Sequence, residues 1–390
     1  MKKAFVALGT IGACALGVAL LARPVIAGSG QRAPRYRVDA RWPKPLPNQW
    51  LIGQVGGLTV DKHDHVWINQ RPRSLTEDEM GLALDPPRSI CCRPAPSVME
   101  LDGDGNLLQA WGGPEDPGKC VPPACQWPAT EHGIFVDDDD HVWVGGNGAT
   151  DRMLLKFERN GTFLMMIGDS FLGPPDSNST TSVGRAADIF VDTARNEVYV
   201  ADGYLNRRVA KFNATTGAFI RGWGAYGNPP VDLPEGEPQP PDPNGPYFNR
   251  PVHCVVLSND GILYVCDRVN NRIQIFDRDG NYLRQLVFDP ATLGNGAIWD
   301  IGLQRRDSQR LLFYADGENN FVRILERSSG EVLRTFGRNG RNAGQFHWVH
   351  QLGVDSHGNV YTGEVDTSKR IQKFVPWHGQ GEGEGHHGDE

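Results

Sequence analysis

The sequence predicts an all-β fold, a six-bladed β-propeller whose ring is closed by a strand from the N-terminal side. Three observations predict it. Six segments share one order of elements: an apolar strand, a turn, a second strand, a polar Asp/Asn/Gly/Arg cluster and a third strand, usually with a turn and a fourth strand after it. The units have the length of propeller blades. The last unit shows only three strands, and "YRVDARWP" (36–43), ahead of the first unit, alternates in the way the missing outer strand needs. Closure leaves no unpaired edge at the joint. An open solenoid of the same units would need capping repeats that the sequence lacks.

The first unit contains "GGLTVDKHDHVWINQR" from Gly56 and the second "HGIFVDDDDHVWVGG" from His132. The third and fourth span 187–224 and 253–288, the fifth 299–337 and the sixth 350–374. Segments 72–96, 114–130 and 228–247 interrupt the pattern; the last is Pro-rich and expected to be extended. The domain layout is therefore 1–27 as a targeting segment, 28–376 as the propeller and 377–390 as a disordered Gly/Glu/His tail.

The first thirty residues place Lys2 and Lys3 before an apolar run from Ala4 to Ala22, with small residues up to Ala27. This is a signal peptide cleaved after Ala27, an uncleaved membrane anchor or, at Cys14, a lipoprotein site; all three export the rest of the chain. Six cysteines remain: Cys91, Cys92, Cys120, Cys125, Cys254 and Cys266. Cys254 and Cys266 lie symmetrically about the Asn259–Gly261 turn and can face each other across a hairpin. The other four sit in two loop segments that disulfides can staple together, or they are free buried thiols. A net charge of −8 without a basic block argues against a nucleic-acid partner.

Aligned on their first strands, three units carry histidine five places before the Asp or Ser at the turn: His132 (Asp137), His253 (Ser258) and His350 (Asp355). The matching residues elsewhere are Gly56, Ala187 and Trp299. The first strand of a blade lines the channel, and alternate blades of six are related by about 120°. Three imidazoles then converge on the axis, as a His₃ zinc site with an open fourth position requires. The alternative is three polar residues lining a wet channel. Arg71 and Arg268 each follow the aligned position by fifteen residues, in units that face each other, and can clamp a carboxylate. Arg207 and Arg272, in similar clusters, are expected to tie blades together. Tyr204, in "DGYLNRR", points to the same rim and is a candidate base.

At these residues the sequence resembles peptidyl-α-hydroxyglycine α-amidating lyase, the lyase half of the peptidylglycine α-amidating enzymes, a six-bladed propeller of NHL-type repeats. "GQVGGLTVDKHDHVWINQR", "HGIFVD", "VYVADGYLNRRVAKF", "PVHCVVLSNDG", "DRVNNRIQ" and "FHWVHQLGVDSHGNVY" resemble family segments in the same order, across most of 50–375. The resemblance implies zinc ligands at His132, His253 and His350, a catalytic Tyr204, and active-site Arg71 and Arg268. It also implies a calcium held by the carbonyls of Val55 and Ile134 and by a side chain at Gln351, where the family has Asp. The family's Met is here Trp348, and no monooxygenase domain is attached. The activity implied is cleavage of an N-acyl-α-hydroxyglycine, a small or peptide substrate with a terminal carboxylate, to an amide and glyoxylate by an exported monomer. The competing readings are a non-enzymatic module binding peptide, protein or glycan through its loops, and a propeller lactonase, whose metal is typically held by Glu, Asn and Asp.

Overall fold

The computed structural model describes residues 33–233 and 239–377, together with Met1. Residues 2–27 of the targeting segment lie outside the described residues, as does the tail from 378; Trp377, expected to open the tail, instead ends the last strand. Among the described residues no helix is long and apolar enough to cross a membrane.

Six four-stranded antiparallel sheets form the blades. Their inner strands are Gln54–Val60, Glu131–Val136, Asp188–Asp192, Val252–Leu257, Asp300–Leu303 and Val349–Val354, each beside the next around the ring. The sixth sheet is completed by Arg35–Val38, which pairs antiparallel with Ile371–Trp377. The closing strand is shorter than the stretch expected, ending at Val38, and Tyr36 pins it by donating to the Gly358 carbonyl at 2.8 Å. The loop 72–96 folds back so that Arg93–Pro94 pairs in parallel with Trp50–Leu51.

One local device repeats at the inner hairpins. Asp61, Asp137 and Asp355 each accept, through Oδ1, the backbone N–H groups two and four residues on. Through Oδ2 they accept Trp67 Nε1–H at 3.0 Å, Trp143 Nε1–H at 3.0 Å and the Tyr361 hydroxyl at 3.1 Å. An Asp that satisfies a tight turn and a buried aromatic at once fixes the hairpin's register. The fourth turn residue must be left-handed, with φ of 63° at Asp64 and 67° at Asp140, and glycine at 261 and 358.

Burial between neighbouring blades supplies the core, with Trp67, Trp143, Trp223 and Trp299 almost wholly inaccessible. Two buried ion pairs tie loops to blades. Arg272 Nε meets Asp267 Oδ2 at 2.7 Å, and its remaining donors reach the carbonyls of Pro243 and Tyr247, holding down the far half of the Pro-rich loop. In blade 3 Arg208 plays this part: its Nε meets Asp202 Oδ2 at 2.7 Å, and it bonds the carbonyls of Ser177 and Ser182. Arg207 donates to the Phe248 carbonyl, in the segment entering blade 4, at 2.8 Å, and so ties neighbouring blades as expected.

The cysteines form three disulfides, Cys254–Cys266 across the hairpin as expected, and Cys91–Cys92 and Cys120–Cys125. The last two correct the expectation that the two loops are stapled together.

Arg272→Ala strands Asp267 as an uncompensated buried carboxylate. It is expected to cost about 3–5 kcal/mol, against about 1–3 kcal/mol for Arg207→Ala, read from urea unfolding midpoints.

Candidate functional site

In blades 2, 4 and 6 the inner strand breaks register with its neighbour at the histidine. Val252 lies opposite Asp267 and Cys254 opposite Cys266, so His253 is an extra, unpaired residue. Val349 opposite Glu364 and Gln351 opposite Gly363 leave His350 in the same position. In blade 2 the break falls between Glu131 and Ile134 and contains His132. A β-bulge bends its strand and re-aims the extra side chain. Blade 1 bulges at Gly56, where a Cβ would strike the Glu131 carbonyl. Close packing against the His132 strand leaves no room there for a fourth side chain.

The three imidazoles meet on the axis. Their ring centroids are 5.2 Å (132–253), 4.8 Å (132–350) and 4.9 Å (253–350) apart, and all three residues are buried. His132 Nδ1 is 2.6 Å from the Ala187 carbonyl, and His253 Nδ1 2.5 Å from that of Trp299. A carbonyl only accepts, so Nδ1 carries the proton in both and Nε2 presents a lone pair. Burial first, then neighbouring positive charge, holds all three pKa values well below the usual imidazole value, so the rings are neutral.

The Tyr204 hydroxyl stands over this cluster, 3.0 Å from His132 Nε2 and 3.1 Å from His253 Nε2. One hydroxyl proton cannot serve two acceptor lone pairs. His350 Nδ1, also buried, has no partner among the described residues. Three neutral imidazoles whose lone pairs a single hydroxyl proton cannot satisfy fit a divalent transition metal, and a ligand atom from each lies within 4.8 Å of the others. A second cluster, Asp61, His65 and Glu100, does not need one, because Arg159 sits within it, 2.9 Å from Asp61 Oδ2 and 3.0 Å from His65 Nδ1. Gly203 sets the tyrosine's place: a Cβ there would overlap the backbone of Val252, next to His253.

Arg71 and Arg268 reach the same mouth. Arg268 Nη1 lies 3.4 Å from the Tyr204 hydroxyl, and its guanidinium covers Trp299 at 4.6 Å. Arg71 is fixed by the Glu131 carbonyl at 2.7 Å and Gln54 Oε1 at 2.8 Å, with Nη2 3.4 Å from Asn147 Oδ1. Burial lowers the pKa of both guanidiniums from the usual arginine value. Trp348, at a φ of 56°, packs on Trp299 at 5.4 Å. The structure adds Arg185, whose guanidinium lies 5.9 Å from the Tyr204 ring. Sequence reasoning missed it, although a signal existed. It lies two places before Ala187, in the alignment column that also holds Gln54 and Trp348.

Toward the turn end of the inner strands lies a cavity of about 390 Å³, lined among others by Ile134, Asp188, Asp300 and Gln351. Val55, fully buried in blade 1, is not among its lining residues. Gln351 Nε2 is buried without a partner among the described residues. Burial raises the pKa of Asp188 and, together with the Asp188 charge, that of Asp300.

Residues 248–276, most of blade 4, match the NHL repeat model. The chain is 27% identical over 357 residues to peptidyl-glycine α-amidating monooxygenase B of Xenopus laevis, covering 87% of this chain and 35% of that protein. A probable peptidyl-α-hydroxyglycine α-amidating lyase of Caenorhabditis elegans is 21% identical over 345 residues, with 82% of each covered. The resemblance to the amidating lyases holds. NHL repeat-containing protein 3 of Mus musculus is 26% identical over 372 residues, covering 88% of this chain and 85% of that protein. The chain thus spans about a third of the amidating monooxygenase and most of the other two.

Gly203→Ala is expected to push Tyr204 and Val252 apart and to cost about 1–3 kcal/mol in urea unfolding. Gly103→Ala, where a Cβ meets nothing within 4 Å, is the control.

Proposed function

We propose that the protein is an exported zinc-dependent lyase that cleaves the C–N bond of an N-acyl-α-hydroxyglycine or similar carbinolamide, giving an amide and glyoxylate. One observation carries this reading: three neutral imidazoles converge beneath a tyrosine hydroxyl that Arg268 also touches. Zinc held by His132, His253 and His350 would supply Lewis acidity toward a substrate oxygen. Arg71 and Arg268 hold the carboxylate by charge-assisted hydrogen bonds. Tyr204 acts as the general base and takes the proton of the substrate hydroxyl. The C–O bond becomes a carbonyl as the C–N bond breaks, and the proton passes from Tyr204 to the departing amide nitrogen. The likeness to the amidating enzymes supports the reaction class, and the three disulfides support an oxidising, exported location. The same reading extends to calcium at Gln351 with the carbonyls of Val55 and Ile134. There the amide offers oxygen but no charge.

A second reading, a non-enzymatic binding module, is favoured by the likeness to NHL repeat-containing protein 3. The two differ in what the histidines do. The lyase needs a tightly held metal, and the module does not.

Glyoxylate release from an N-acyl-α-hydroxyglycine is expected from the purified protein, and Tyr204→Phe is expected to lower kcat about 10²–10⁴-fold. Equal turnover by the two proteins would remove Tyr204 from the chemistry. Zinc-loaded protein is expected to keep about one ion per chain after dialysis and His253→Ala almost none. Retention by that variant favours the binding module.

A further inference from the structure

The channel mouth carries more positive charge than one carboxylate can answer. Arg71, Arg185 and Arg268 surround Tyr204, and among the described residues none of the three comes within ion-pair distance of a carboxylate. Elsewhere Arg208 and Arg272 pair with carboxylates, while the buried Arg207 is held by a backbone carbonyl. Arg268 is only 7% exposed. Unpaired cations in a desolvated mouth are costly without an anionic ligand to receive them.

Arg185 is held in place more tightly than a passing surface residue would be. Its backbone is left-handed, with φ of 60°, which costs a non-glycine residue energy. The conformation is clamped from both sides: its N–H donates to the Asp151 carbonyl at 3.0 Å, and its carbonyl accepts from Tyr204 N at 3.3 Å. Its Nε donates to the Asn147 carbonyl at 2.7 Å, on the same residue whose side chain receives Arg71. The two terminal amino groups of Arg185 donate to nothing among the described residues. They are free donors beside the proposed reaction centre, while Arg71 and Arg268 are placed for the first carboxylate.

We propose that Arg185 receives a second anionic group on the acyl part of the substrate, so that the preferred substrate is a carbinolamide bearing a negative charge at each end. This rests on the lyase reading for the first carboxylate. It goes beyond that reading in naming the substrate class and the residue that selects it.

The test uses the full zinc-loaded chain and two unreactive skeletons, N-succinylglycine and N-butyrylglycine, titrated calorimetrically at fixed ionic strength. Wild type is expected to bind the succinyl compound about tenfold tighter. Arg185→Gln is expected to bring the ratio close to one by weakening the succinyl compound alone, and Arg185→Lys to restore part of the preference. Equal affinities in wild type, a preference that survives Arg185→Gln, or an equal loss for both compounds each overturns the proposal. The last outcome would make Arg185 a prop for Tyr204. If wild type binds neither compound, the carboxylate clamp fails and the proposal falls with it. If the preference behaves as expected but no glyoxylate is released from a hydroxyglycine, the subsite stands and the lyase reading fails.

Discussion

Ring closure is the constraint on which the site depends. Three histidines on alternate blades meet on one axis only if six blades complete the circle, and a ring held open at one joint lets every inner strand drift. The joint is made by four residues, Arg35–Val38, hydrogen-bonded to Ile371–Trp377 at the opposite end of the described chain. Tyr36 adds edge-to-face and stacked contacts with Phe313 and Phe336, so the seam is packed as well as paired. Few local contacts favour this pairing, because the strand must find a partner more than three hundred residues away.

Within the closed ring, the bulges do the local work. A regular strand alternates its side chains between the two faces of the sheet, and a histidine in regular register would meet the neighbouring blade. One unpaired residue per inner strand turns the imidazole to the axis, and in blades 2 and 4 the next blade receives the ring's other nitrogen. His132 of blade 2 is oriented by the backbone of Ala187 in the segment entering blade 3, and His253 of blade 4 by Trp299 in the segment entering blade 5. The donor set is therefore pre-oriented by neighbouring blades, which also keep it dry and neutral. Two of the repeat units that lack histidine at the aligned position supply these carbonyls from that same position.

Much of this was legible in the sequence. The Asp or Ser that begins the inner turn in five of the six units gives the phase of the repeat, and that phase aligns His132, His253 and His350. A fixed offset from it finds Arg71 and Arg268, and the cluster after the second strand of blade 3 finds Tyr204. Two features were not legible. Arg185 shares an alignment column with Gln54 and Trp348, but the turn of its side chain toward Tyr204 depends on how blades 2 and 3 pack. The disulfides within the loops depend on local chain reversal at Cys91–Cys92 and Cys120–Cys125, which cysteine counting does not resolve.

The order of residues along the chain is enough to set the number of blades, the closing strand, the position of the hairpin turns and which side chains stand at one level of the channel. These rest on short-range periodicity and turn chemistry, which act over a few residues. The assembled ring alone sets the direction of those side chains, the tautomers of His132 and His253, and the gathering of three guanidiniums at the mouth. Direction and tautomer depend on backbone atoms of other blades, and net local charge depends on what three separate loops bring together. None of these has a signature within a single stretch of chain.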